Sequence, residues 1–488
     1  MLDIKINSLG DLKKSNYSPK SIKQELRDNL IENIKSGKNV FQEIHGFENT
    51  VIPDLERAIL SGHNINFLGL RGQAKTKIAR LMVELLDEYI PAIAGSEIND
   101  DPFHPISNFG KKIILEKGDD TPIKWLHRSE RYFEKLATPD VTVADLIGDI
   151  DPIKAANLKL SYADEEVIHF GMIPRANRSI FVINELPDLQ ARIQVALFNI
   201  LQEGDIQIRG FKLRLNLDLQ FIFTANPEDY TNRGSIVTPL KDRIDSQILT
   251  HYPEDIEISK KITEQEASLK EDQKALVHIP ELARNLLEQV SFEARKNEYI
   301  DAKSGVSARL SISAMENLVS GAERRTLING AKNTSIRLSD FSSIIPAITG
   351  KVELVYEGEQ EGANLVAEHI IASAVKSLIS KYLPSLENLK SADADNRYKD
   401  LIQWFSEGNS VEILNDFSNK EYEKTLNNIK PLKAIIEKYQ KEFPKEEKPF
   451  LMEMLLWALA EHSKLNKEKI KSGYSFTDLF SSYLRGEI

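Results

Sequence analysis

"LGLRGQAKTKIAR", residues 68–80, decides how the rest of the chain is read. Residues 69–76 follow the phosphate-loop pattern G-x-x-x-x-G-K-[ST], except that Ala74 stands where the pattern has its second glycine. The run "NINFL" before it reads as a buried strand. After it, Ile78, Leu81, Met82, Leu85, Leu86 and Tyr89 fall at helical spacing. Strand, glycine loop, Lys-Thr, helix is the context such a loop requires. The backbone N–H groups of Gly69, Leu70, Arg71, Gly72, Gln73 and Ala74, with the helix N-terminus, would then hold phosphates. Lys75 would reach the β/γ oxygens and the Thr76 hydroxyl would bind Mg²⁺. A methyl at position 74 is cheap if that residue is already entering a right-handed helix, as the spacing leads us to expect. At positive φ it costs about 1 kcal/mol. A glycine-rich turn opening an ordinary helix would be spelled in much the same way.

Downstream, "SIFVINELPDLQ" at 179–190 is an apolar strand ending in Asn184-Glu185. A phosphate-loop site pairs with a strand ending in two acids, one ordering the Mg²⁺ shell and one polarising the attacking water. Glu185 stands at the base position, and Asn184 replaces the other acid. The amide keeps an acceptor oxygen and gives up the charge, so weaker Mg²⁺ binding is expected, with Asn184→Asp tightening it. A polar strand end capping the next helix is the plainer reading. Residues 204–217 alternate about Gly210 as a hairpin, with Ile206 and Ile208 on one arm and Phe211, Leu213, Leu215 and Leu217 on the other. The strand "LQFIFTANP" then carries Thr224 and Asn226 at its end. Asn226 could hold a water against the γ-phosphate, although an Asn before Pro is also an ordinary turn residue. Arg243 lies in "TPLKDRIDSQI". Arg309 opens a helix whose Met315, Leu318, Val319 and Ala322 share a core face.

The bulk of the chain bounds these readings. Its 488 residues suffice for several domains, and 41% hydrophobic with 28% charged residues is an ordinary soluble composition. A membrane span needs about 20 apolar residues in a row, and the longest runs here hold a handful. The N-terminus lacks the pattern of a secretory signal, and the absence of cysteine fits the cytoplasm. A formal charge of −11 argues against nucleic acid as the main ligand. Four segments are expected: an N-terminal helical arm over 1–40, an α/β nucleotide domain over 41–250, a helical lid over 251–385 and a helical extension over 386–488. In the lid, Ile371, Val375, Leu378 and Ile379 mark a helix before Pro384. The polar stretch 391–400 separates the extension, in which Leu451, Leu455, Ala458 and Leu459 share a helix face.

The order and spelling of these motifs resemble the AAA+ ATPases of the MoxR and magnesium-chelatase clade. The loop spelled G-x-x-G-x-A-K-T is the MoxR form. "FGMIPRANRSIFVINE" resembles the chelatase segment leading into its acidic strand. "TPDVTVADLIGDIDP" at 138–152 resembles the stretch before the family's inserted hairpin, and "TANPEDY…PLKDRI" its sensor 1 and arginine-finger segments. The likeness covers about residues 43–330. It implies a P-loop AAA+ core, a parallel sheet flanked by helices with inserted hairpins, followed by a helical lid. It also implies ATP and Mg²⁺ as cofactors, with Thr76 and Asn184 at the metal. The assembly would be a homo-oligomeric ring, commonly a hexamer. Asn226 would be sensor 1, Arg243 a finger given to the neighbour's γ-phosphate, and Arg309 sensor 2. A chaperone-like remodeler with a von Willebrand factor A domain partner is the function it implies. A nucleotide-gated scaffold with negligible turnover, and the ATPase subunit of a metal chelatase, are the alternatives.

Overall fold

The computed structural model describes residues 4–159, 167–208, 214–227, 235–386 and 397–479. The chain divides into two compact units, Met1–His251 and Tyr252–Ile488.

The first unit is built on five parallel strands: β1 (Ile65–Leu68), β2 (Tyr132–Leu136), β3 (Ser179–Asn184), β4 (Leu219–Ala225) and β5 (Ser246–Leu249). Their order across the sheet is β5-β1-β4-β3-β2. Every residue of β3 and β4 is buried, which explains why these strands read as continuous apolar runs rather than alternating ones. Phe181, Ile183, Phe221 and Phe223 face one core, which also holds Ile173, Leu186, Ile193 and Leu197. Ile180, Val182 and Ile222 face the other, with Ile65, Phe67, Ile78, Leu55 and Met82. Alternate side chains of a strand point to opposite faces, so helices are needed on both sides.

The N-terminal arm belongs to this second layer. Ile22, Leu26 and Leu30 of the helix Ile22–Ser36 are part of the same core. Glu25 forms a two-pronged ion pair with Arg131, both contacts at 2.7 Å and both side chains buried. The helix after the phosphate loop is shorter than the spacing predicts. It runs Lys75–Leu81, tightens into a 3₁₀ turn at Met82–Leu85, and Tyr89 opens a strand, Tyr89–Ile93, paired with Ile123–His127. Pro91 keeps Ile90 extended, as the strand needs. The expected hairpin is present as Asp205–Gln207 against Arg214–Asn216, while Gly210, Phe211 and Leu213 lie outside the described residues. A further antiparallel pair joins Gly148–Ile150 to Ile168–Phe170, with the helix Pro152–Leu158 in the connection.

The second unit is mainly helical. Met315, Leu318, Val319 and Ala322 of the helix Arg309–Asn329 are buried as their spacing predicts, and so are Ile371, Val375, Leu378 and Ile379 of Ala363–Ile379. Two features depart from the expectation of helices alone. Val411–Leu414, Gly473–Thr477 and Asn466–Ile470 form an antiparallel sheet, and Val277–His278 pairs with Thr334–Ser335. The helix Lys448–Glu461 is buried all round from Phe450 to Leu459, not on one face. Among the described residues no helix is long and apolar enough to cross a membrane.

That buried helix carries Glu453, whose carboxylate accepts the Tyr422 hydroxyl at 2.6 Å. Burial pushes the carboxyl from its ordinary 4.5 up to about 7, with the Tyr422 bond opposing the shift. The folded state therefore favours the protonated form. This contribution is complete below about pH 4.5, is lost as the pH rises to about 7, and stays lost above. At about 1.4 kcal/mol per pH unit the loss is on the order of 3 kcal/mol. Glu453→Gln is expected to flatten the fall in stability between these limits and to raise stability at neutral pH. Urea denaturation across pH checks this.

Candidate functional site

The loop 69–76 leaves β1 between the ends of β4 and β5. Gly69 N–H donates to Ala225 O at 3.1 Å and Thr250 N–H to Leu68 O at 2.9 Å, so both neighbouring strands grip the loop's entry. A side chain at Gly69 would place its Cβ 2.0 Å from Thr250 Oγ1 and 2.2 Å from Gln73 Oε1. Glycine here is therefore a packing requirement. Gln73, expected among the phosphate-binding residues, turns its side chain inward and accepts from Thr250 Oγ1 at 2.7 Å. Its N–H remains the group that could meet a phosphate.

Ala74 reverses one expectation. Its φ is 55° and its ψ 11°, left-handed backbone, immediately before the helix Lys75–Leu81. The methyl is not carried cheaply: a Cβ in that region costs about 1–2 kcal/mol. Gly72, at φ 71°, adopts the same region without that cost. Sequence spacing marks where a helix begins, but the backbone angle of the residue before it is set by how the loop must turn.

Lys75 reaches back across the loop. Its ammonium donates to Gly69 O, to Leu70 O at 2.8 Å and to Asn226 Oδ1 at 2.9 Å. Asn226 is thus a buried partner of the loop lysine at the end of β4. Thr76 Oγ1 donates to Asn184 Oδ1 at 3.4 Å, and Thr224 Oγ1 to the same oxygen at 3.1 Å. Glu185, whose φ of 56° is also left-handed, is tied by its N–H to Thr224 Oγ1 at 3.1 Å. Five of the expected residues, Lys75, Thr76, Asn184, Glu185 and Asn226, thus meet where the parallel strands end. That is where open α/β sheets bind ligands.

The arginines are placed differently. Arg243 lies over the Phe198 ring at 4.9 Å and donates to Gln202 Oε1 at 3.1 Å and Pro239 O at 2.7 Å. It ends the helix Thr238–Arg243 and packs against the helix Phe198–Glu203, outside the Lys75–Asn226 network. Arg309 opens its helix in the second unit.

One participant was not anticipated. Glu134 of β2 accepts Asn184 Nδ2 at 2.6 Å through Oε1. Its Oε2 accepts Arg80 Nη2 at 2.9 Å, Arg80 Nε at 3.1 Å and the Tyr132 hydroxyl at 3.2 Å. The bond to Glu134 raises the pKa of Arg80. Burial, reinforced by the Glu134 charge, raises that of Tyr132. The alternation in "YFEKL" is five residues long, and nothing in it ties position 134 to position 184. Thr76 Oγ1 and Asn184 Oδ1 are oxygens, the donor type Mg²⁺ prefers. Among the described residues no three Asp, Glu or His side chains gather into a metal cage.

Residues 124–244 match the family model for the AAA domain, dynein-related subfamily. The chain carries an AAA domain. The match takes in β2, β3 and β4 with Asn184, Glu185, Asn226 and Arg243, and begins after the phosphate loop. Among solved structures the chain is similar to a candidate ATPase of Cytophaga hutchinsonii, at 16% identity over 72% of this chain and 95% of that one, with a TM-score of 0.30. A chain of the complex between subunits BchI and BchD of magnesium chelatase matches at 17% identity over 66% and 98%, with a TM-score of 0.34. NtrX of Brucella abortus matches at 14% over 59% and 55%, with a TM-score of 0.31.

Because Ala74 is left-handed, substitutions there should follow backbone tolerance rather than hydrophobicity. Glycine is expected to be at least as stable as alanine. Valine, whose branched Cβ tolerates positive φ poorly, should cost on the order of 1–2 kcal/mol more. Thermal unfolding of the three proteins gives the order.

Proposed function

We propose that this protein is an ATPase that binds ATP with Mg²⁺ on residues 69–76 and hydrolyses it within a ring of like subunits, remodeling a partner protein. The observation that carries the reading is the Lys75–Asn226 bond. It joins the loop lysine to the end of the strand beside β1, so a polyphosphate on the loop would meet both residues. In this reading the loop N–H groups and Lys75 take the phosphate oxygens. Glu185 accepts a proton from water as its oxygen bonds to the γ-phosphorus. The bond from that phosphorus to the β–γ bridging oxygen breaks, leaving ADP and phosphate. Asn226 orients that water. Thr76 and Asn184 are the residues that would hold Mg²⁺, which would supply positive charge against the phosphates.

The position of Arg243, at the end of Thr238–Arg243 against the helix Phe198–Glu203 and outside its own Lys75–Asn226 network, favours a finger offered to a neighbouring subunit. The G-x-x-G-x-A-K-T spelling supports the MoxR and chelatase type, and with it a von Willebrand factor A domain partner and a cytoplasmic setting. A nucleotide-gated scaffold with little turnover is the second reading, favoured by the uncharged Asn184.

Lys75→Ala is expected to abolish ATP binding in a calorimetric titration; unchanged affinity would remove the phosphate-loop assignment. For the ring, Arg243→Ala and Glu185→Gln should each bind ATP and lose most turnover, an arginine finger being worth about 10³–10⁵ in rate. Mixing the two inactive proteins should restore partial activity at interfaces that pair an intact Glu185 with a neighbour's Arg243. No recovery in mixed assemblies verified by light scattering would place the finger elsewhere.

A further inference from the structure

Asn184 is an amide where nucleotide chemistry calls for a carboxylate. An amide has a donor end and an acceptor end, and only its oxygen can serve a cation. Which end faces which way is decided by its neighbours. On one side two hydroxyls, Thr76 and Thr224, donate to Oδ1. On the other side the NH₂ needs an acceptor, and Glu134 Oε1 supplies it at 2.6 Å. The register permits this contact. Glu134 lies opposite Val182 and Leu136 opposite Asn184, so positions 134, 182 and 184 point to one face of the sheet. Glu134 is itself held, its other oxygen taking Arg80 and Tyr132.

We propose that Glu134 is the positioning residue for the divalent cation of the bound nucleotide. It turns the Asn184 oxygen toward Thr76 and supplies, one side chain away, the negative charge that position 184 lacks. The inference rests on the reading of 69–76 as a nucleotide loop. Arg80 offsets part of that charge, but its side chain is 63% exposed against 23% for Glu134, so water screens the pair. Acid and amide have in effect changed places between neighbouring strands. An aspartate at 184 would set two carboxylates in hydrogen-bond contact, where they cannot both ionise easily. Restoring the acid alone is therefore not a repair, contrary to the expectation from the strand spelling by itself.

The test is calorimetric titration of ADP into the full chain, once in EDTA and once with Mg²⁺, taking the ratio of affinities as the Mg²⁺ gain. Glu134→Gln should lose about 10- to 100-fold of that gain, the usual effect of removing a group that orients a metal ligand, with the EDTA affinity unchanged. Asn184→Asp alone should show no larger gain than the wild type. The double exchange, Glu134→Gln with Asn184→Asp, keeps a donor–acceptor pair and should recover the wild-type gain. Mn²⁺ electron paramagnetic resonance with ADP should rank the proteins in the same order. Full gain in Glu134→Gln, improved gain in Asn184→Asp alone, or no recovery in the double exchange overturns the proposal. A purely structural Glu134 would lower the melting temperature and leave the gain intact. Should the single variant fail to fold, the double exchange decides, because it preserves the hydrogen bond. Wild-type protein that binds ADP without any Mg²⁺ gain overturns this inference alone. Wild-type protein that binds no ADP in either buffer overturns the nucleotide reading and this inference with it.

Discussion

The parallel pairing of β1 with β4, Ile65 opposite Ile222 through Leu68 opposite Ala225, is the constraint on which the site depends. It extends one bond past the strand, from Gly69 N–H to Ala225 O. Because the two strands end level, the loop leaving β1 passes the side chain that follows β4, and Lys75 meets Asn226. Pairing of β1 with β5 on its other edge adds Thr250, which closes on Gln73 and leaves no room for a Cβ at Gly69. Each contact is a backbone register turned into a side-chain encounter. A shift of one residue would turn every side chain of the strand to the opposite face.

At the ends of β3 and β4 the apolar sheet gives way to a small polar network. Asn184 and Thr224 are buried and use their bonding groups on one another, on Thr76 and on Glu134. Leaving one such group unpaired costs about 1–3 kcal/mol, so members of the network constrain each other's rotamers. Two residues with side chains, Ala74 and Glu185, hold positive φ at the exits of β1 and β3. Left-handed backbone at both chain exits is what directs the loop and the acidic turn toward a common point. Such conformations persist where surrounding bonds over-determine them, as the Thr224 bond does for Glu185.

The second unit shows a different balance. Its helix Lys448–Glu461 is enclosed on all sides, so a carboxyl at Glu453 is tolerated mainly in its neutral form. The buried Arg325–Asp340 pair at 2.7 Å and Arg337, held by Phe417 O and Asn419, form a polar layer among the same helices. Burial lowers the Arg337 pKa to about 10, which leaves it charged at neutral pH.

The sequence by itself determined the elements whose signals are local. The buried strands 65–68, 179–184 and 219–225 announce themselves as apolar runs. The loop 69–76 shows in its glycines and Lys-Thr, and the helix from Arg309 in its repeating apolar positions. These follow from the chemistry of a few consecutive residues. Only the tertiary structure decided what depends on strand order and register. It set the order β5-β1-β4-β3-β2, the turning-in of Gln73 and the left-handed backbone at Ala74. It also brought Glu134 to the amide of Asn184. The short sheet formed by Val411–Leu414, Gly473–Thr477 and Asn466–Ile470 belongs with these, since strands of four or five residues gain stability only once paired. Positions 134 and 184 lie far apart in the chain, and no local pattern links them. Their contact exists because β2 pairs with β3 in one particular register, and that register is a property of the whole sheet.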